Sequence, residues 1–141
     1  MPGKFNYKVL RKYPHLIGED TEVWTRFIKK FPQRFDTVDY DVLVGKGVDT
    51  STISDIKFQQ YWSNLTKKRI DVIGWKNEIC TIIEVKKRVS LMTLGQILGY
   101  RFLFGREHPE ITLVRALIVC STIDQDDSDV LDHYGIEFVI V

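Results

Sequence analysis

Lys68-Arg69-Ile70-Asp71-Val72-Ile73-Gly74 and Ile82-Ile83-Glu84-Val85-Lys86, separated by Trp75-Lys76-Asn77-Glu78, form the stretch whose reading decides the fold. Both runs are apolar and rich in β-branched residues, and the segment between them is a polar turn, so they read as adjacent antiparallel strands. Charge interrupts each run: Asp71 in the first, Glu84 and Lys86 in the second. Side chains alternate along a strand, so Glu84 and Lys86 project together while Val85 points back into the core. Burying such groups without compensation is strongly unfavourable, and something must therefore balance them.

Working outward, residues 1–18 read as an irregular basic arm with Lys4, Lys8, Arg11 and Lys12. An amphipathic helix follows from about Asp20, with Val23, Trp24, Phe27, Ile28 and Phe31 at helical spacing and Pro32 at its end. Residues 35–45 make a first strand, closed by Gly45-Lys46-Gly47. Residues 48–66 open as a Ser/Thr/Asp-rich loop, and Phe58-Gln59-Gln60-Tyr61-Trp62 is either a short helix or a strand, able to stack on unpaired bases or to cover the sheet. Ser90 is placed to cap a helix over 91–106. A strand over 115–121, a helix over 125–134 and a strand over 136–141 complete the chain. The Leu91, Leu94, Leu98 and Phe102 stripe is expected to pack on the sheet, with Gly95 and Gly99 allowing close approach. Gln96 and Tyr100 share another face.

Asp71, Glu84 and Lys86, followed by Gln96 and Tyr100, resemble the PD-(D/E)xK nuclease superfamily over roughly residues 68–141. Gln96-Ile97-Leu98-Gly99-Tyr100 is similar to the Q-x-x-x-Y element of its RecB-like branch. Ile70 stands where the family pattern has proline. The resemblance implies an α/β fold with a restriction-endonuclease-like core: a central mixed sheet flanked by helices, in the order αβββαβαβ, as one domain over residues 1–141. It implies a metal-dependent nuclease that hydrolyses DNA phosphodiester bonds and leaves 5′-phosphate ends. Asp71, Glu84 and Lys86 would be catalytic, and Mg2+ or Mn2+ would be held by Asp71, Glu84, the Val85 carbonyl and an acid of the first helix. Asp20 has the best phase for that acid, Glu19 lies at the edge of the face and Glu22 nearly opposite; the alternative role of Asp20 is a helix N-cap. Gln96 and Tyr100 would contact substrate, as would the basic Lys87 and Arg88 beside the site.

Composition bounds these readings. The chain has 141 residues, 44% hydrophobic and 28% charged, enough for one sizeable core. No apolar run approaches a membrane span, and Met1-Pro2-Gly3-Lys4 does not read as a secretory signal, so a cytoplasmic location is expected, in a host cell if a virus or mobile element encodes the chain. Net charge is +1, so nucleic-acid affinity has to come from local basic patches. Cys80 and Cys120 fall inside strands and read as buried thiols. His15, His108 and His133 have no ligand spacing. The Asp124, Asp126, Asp127, Asp129 cluster fails as a calcium loop, because Asp129 and Gly135 occupy the glycine and glutamate places. Two other functions remain open: a catalytically silent nuclease-fold module that binds nucleic acid or a protein, and a Holliday junction resolvase, which needs two sites related by a twofold axis and hence a homodimer.

Overall fold

Asn77 and Glu78 both adopt left-handed backbone, with φ of 48° and 67°, so the chain reverses in two residues between strands Lys68–Lys76 and Ile79–Arg88. This is the expected hairpin, and its primed-turn geometry suits the right-handed twist of the strands it joins. The structure, a computed structural model, describes the backbone of residues 3–141 and the side chains of all of these but 64–66. Met1 and Pro2 of the expected arm lie outside the described residues. The elements are β1 (Phe5–Asn6), α1 (Glu19–Lys30), β2 (Thr37–Val44), α2 (Ile56–Thr66), β3 (Lys68–Lys76), β4 (Ile79–Arg88), α3 (Leu91–Glu107), β5 (Val114–Thr122), α4 (Gln125–His133) and β6 (Glu137–Ile140).

The six strands form one mixed sheet in sequence order. β1 to β4 are antiparallel neighbours, and β4, β5 and β6 run parallel. A core on the α1 face gathers Val23, Trp24, Phe27, Val72, Val85 and Leu117; a second, on the α3 and α4 face, gathers Ile73, Ile82, Ile97, Phe104, Ile118 and Leu131. Among the described residues no helix is long and apolar enough to cross a membrane. Cys80 and Cys120 are buried free thiols, and burial pushes them up to about 12 and about 11.

The observed order adds β1 and α2 to the one expected. Residues 3–18 are irregular apart from β1, as expected, but they are not a free arm: β1 pairs with β2, and Tyr7, Tyr13 and Leu16 enter the α1-side core. The Tyr7 hydroxyl donates to the Phe31 carbonyl at 2.7 Å, and the Tyr13 hydroxyl lies 2.8 Å from Thr25 Oγ1, so the two rings have polar partners where they are buried. Aromatic rings at irregular spacing carry no periodic signal, which is why this packing is invisible to a pattern reading.

The phase of α3 also differs. Its buried residues are Thr93, Ile97 and Phe104, whereas Leu91 and Phe102 are 59% and 64% exposed. A Cβ added at Gly95 or Gly99 would meet nothing within 4 Å, so these glycines permit no close approach. The start of the helix is as expected, with the Ser90 N–H donating to Thr93 Oγ1 at 3.2 Å.

Two substitutions test this account. Glu78→Gly should stabilise the protein by about 1 kcal/mol in chemical denaturation, because the left-handed conformation carries a Cβ penalty that glycine lacks. Gly74→Ala should destabilise it by about 1–3 kcal/mol in the same assay, since the new Cβ would lie 2.5 Å from Phe35 Cδ1.

Candidate functional site

β3 and β4 are paired from Lys76–Ile79 as far as Val72–Ile83, and there the ladder stops, although β4 continues alongside β5 to Arg88–Thr122. The next residues, Asp71 and Glu84, stand where the strands part. The Val85 N–H donates instead to Asp71 Oδ2 at 3.0 Å, so a side-chain carboxylate replaces the backbone acceptor that continued pairing would supply.

β2 yields at the same level. Asp41, between the Tyr40–Val72 and Val42–Ile70 pairs, has φ of 52°. Tyr40 and Val72 pack in the α1-side core, but Val42, Val44 and Ile70 pack on the α3 side, so alternation is broken in both strands across Asp41 and Asp71. Asp41 Oδ2 lies 2.7 Å from Arg69 Nη1 and 2.9 Å from His15 Nε2, and His15 itself has φ of 58°. Sequence reasoning missed this trio; its sole signal was an acid inside a strand.

Glu84 is 1% exposed, and its Oε1 meets no hydrogen-bond partner among the described residues. Its Oε2 lies 3.9 Å from Lys86 Nζ, on the face the two-residue spacing dictates. The Asp71 and Glu84 carboxyls are near enough for each to act on the other. Burial raises the pKa of both. The Asp71 charge raises Glu84 further while Lys86 opposes it, and Asp71 is held back by the Val85 N–H and Lys86. Of the two, Asp71 has the N–H donor that favours its charged form, and Glu84 lacks one on Oε1.

Tyr100 and Gln96 of α3 border this pair. The Tyr100 hydroxyl is raised in pKa by burial and then by the neighbouring Glu84 and Asp71 carboxyls, with Gln96 opposing the shift. Asp20 sits on the other side. It is not an N-cap: Gly18 holds that place, and Asp20 Oδ1 accepts the Lys87 N–H at 3.1 Å, with its charge reaching Asp71. Glu19 pairs with Lys87 Nζ at 2.6 Å, and Glu22 is exposed. Lys87 is therefore engaged with α1, and Arg88 is exposed at the end of β4. The aspartates at the start of α4 act locally, with Asp124 Oδ1 accepting the Asp127 N–H at 2.8 Å. A hollow of about 420 Å³ lined by Trp75, Phe104 and Ile111 together with Lys4, Asp39 and Glu110 holds none of these groups.

Paired buried carboxyls with an orphaned oxygen are suited to a divalent cation. Among the described residues no group of three or more His, Cys, Asp and Glu is arranged to hold a metal. A cation here would rest on two carboxylates and complete its shell with backbone, water and substrate oxygens, which is the habit of Mg2+.

The fold and this fork of strands define an α/β protein of the architecture found in endonucleases of known structure. A repair endonuclease from Pyrococcus abyssi aligns with a TM-score of 0.54 and 16% identity over 92% of this chain and 49% of its own. An EndoMS–dsDNA complex aligns with a TM-score of 0.51 and 16% identity over 94% and 48%. The chain thus spans about half the length of each. No protein-family model and no curated protein matches it.

The raised pKa of Glu84 makes stability depend on pH. Glu84 has a raised pKa in the folded state, so its contribution is full below the ordinary glutamate range and is lost as pH rises through the folded value. The melting temperature of the metal-free protein should therefore fall as pH rises above about 5. Glu84→Gln should flatten that slope and stabilise the metal-free protein near pH 8 by on the order of 1 kcal/mol, a few degrees in a melting scan.

Proposed function

We propose that this chain is a metal-dependent nuclease that hydrolyses DNA phosphodiester bonds and leaves 5′-phosphate ends, with Asp71, Glu84 and Lys86 as its catalytic residues. One observation carries the reading: two neighbouring buried carboxyls at a strand fork, one with an oxygen that lacks a partner among the described residues, and an ammonium 3.9 Å away on the same face. An uncompensated cluster of this kind is unfavourable for folding and has a use when a cation occupies it. The likeness in fold to endonucleases, one of them bound to double-stranded DNA, supports the choice of reaction and polymer.

Asp71, Glu84 and the Val85 carbonyl would hold Mg2+ or Mn2+, with Asp20 at the rim as a ligand or as a support through Lys87. When bound, the ion supplies charge neutralisation at phosphate and a lowered pKa for coordinated water. Lys86, with its side chain 31% exposed, reaches from the buried carboxyls toward solvent, where it orients the attacking water and stabilises charge developing on phosphate oxygens. The water oxygen bonds to phosphorus as the P–O3′ bond breaks, and the proton given up by water balances the one gained by the departing 3′-oxygen. Tyr100 and Gln96 hold the phosphate from the α3 side. Lys87 and Arg88 steer the polyanion toward the site, the former once released from Glu19.

Asp71→Asn separates chemistry from folding, because asparagine keeps an oxygen for the Val85 N–H. Cleavage of plasmid and oligonucleotide DNA with Mg2+ or Mn2+ should fall by about 100-fold or more in Asp71→Asn and Lys86→Ala, with melting temperatures near that of the parent. Asp71→Ala should add a destabilisation of about 1–3 kcal/mol from the unpaired N–H. A parent protein that leaves linear, flapped and branched DNA uncut with manganese, yet binds it in a salt-sensitive way, would identify a silent binding module instead.

A further inference from the structure

The α2 helix buries none of its described residues, although Phe58, Tyr61 and Trp62 stand on it at i, i+3 and i+4 and are 50%, 59% and 38% exposed. The sheet faces are covered by α1 on one side and by α3 and α4 on the other, so these rings are not lids over a core. They pack on one another. Phe58 and Tyr61 are nearly parallel, at 18° with centroids 6.3 Å apart, and Trp62 stands edge-on to both at 82° and 80°. Such a cluster presents flat apolar faces to water, which identifies a surface made to be covered.

Charge and position indicate what covers it. Lys57 is the single charged residue of the helix, and Asp55 before it is committed to capping, accepting the Phe58 N–H at 3.1 Å. Lys67, Lys68 and Arg69 follow directly; Arg69 is paired with Asp41, and Lys68 is exposed. The Ser63 hydroxyl donates to the Lys46 carbonyl at 3.1 Å, which fixes the C-terminal part of the helix to the end of β2 opposite Lys68. From Lys68 to Asp71 the strand rises by only about 10 Å. An aromatic ridge, a run of cations and the paired carboxyls thus follow one another along the chain.

We infer that α2 is a stacking platform for unpaired bases, and that the substrate of the proposed nuclease is a strand with a single-stranded segment beside the bond to be cut. Bases paired in a continuous duplex have no free faces to offer these rings, whereas unpaired bases stack on them in a sequence-tolerant way. The inference rests on the nuclease reading for the cutting step and on α2 alone for the base contact.

The test measures binding of a labelled single-stranded oligonucleotide and of the same sequence as a duplex, without divalent cations so that nothing is cut. Phe58→Ala/Tyr61→Ala should weaken single-strand binding by about ten-fold or more and leave duplex binding unchanged. Phe58→Trp/Tyr61→Trp should restore it, which a purely structural role would not require. Equal losses for both DNAs, no loss for either, or a loss that tryptophan does not restore overturns the platform. Cleavage assays keep the two readings apart: a protein that cuts DNA but ignores the platform substitutions loses only this inference, and one that never cuts but binds single strands through Phe58 and Tyr61 loses only the nuclease reading.

Discussion

The separation of β3 from β4 beyond Val72 and Ile83 is the constraint on which the rest of the site depends. Parting two strands in the middle of a sheet leaves backbone groups without partners, and the Asp71 carboxylate satisfies one of them by accepting the Val85 N–H. The same carboxylate is thereby fixed against Glu84. A structural hydrogen bond and a chemical arrangement are one feature here, since the oxygen that completes the strand also sets the distance between two acids.

The surroundings sharpen that arrangement. Burial leaves Glu84 1% exposed, which raises its affinity for a proton, and its Oε1 has no partner among the described residues. Lys86 lies far enough out to reach solvent while still opposing the shift. From opposite sides, α1 brings Asp20 and Glu19 to the end of β4, and α3 brings Gln96 and Tyr100. Three layers thus converge on the fork, and the proposed use of metal by the site follows from acids that burial leaves uncompensated.

The hairpin, the α1 face, the Ser90 start of α3 and both buried cysteines were legible because each rests on local chemistry: period-two or period-3.6 patterning, a turn segment, a capping residue. The α3 packing face was not. Leucine content favoured the stripe through Leu91 and Phe102, whereas Thr93, Ile97 and Phe104 are the residues buried, a choice that depends on the surface the helix meets and not on its own sequence. The change of alternation across Asp41 was equally illegible, because an aspartate tolerates the left-handed conformation without announcing it.

The sequence by itself determined that charge would sit inside apolar strands, with Glu84 and Lys86 on one face, since the pleat of a strand admits no other reading of a two-residue interval. Only the tertiary structure decided that Asp71 would meet Glu84 rather than solvent, that Asp20 would be tied to β4 rather than cap its helix, and that the rings of α2 would be left in the open. Each of these depends on where separately folded segments come to rest against one another, and contact between residues 13 or 67 apart is set by the packing of the whole sheet, not by the preferences of either segment.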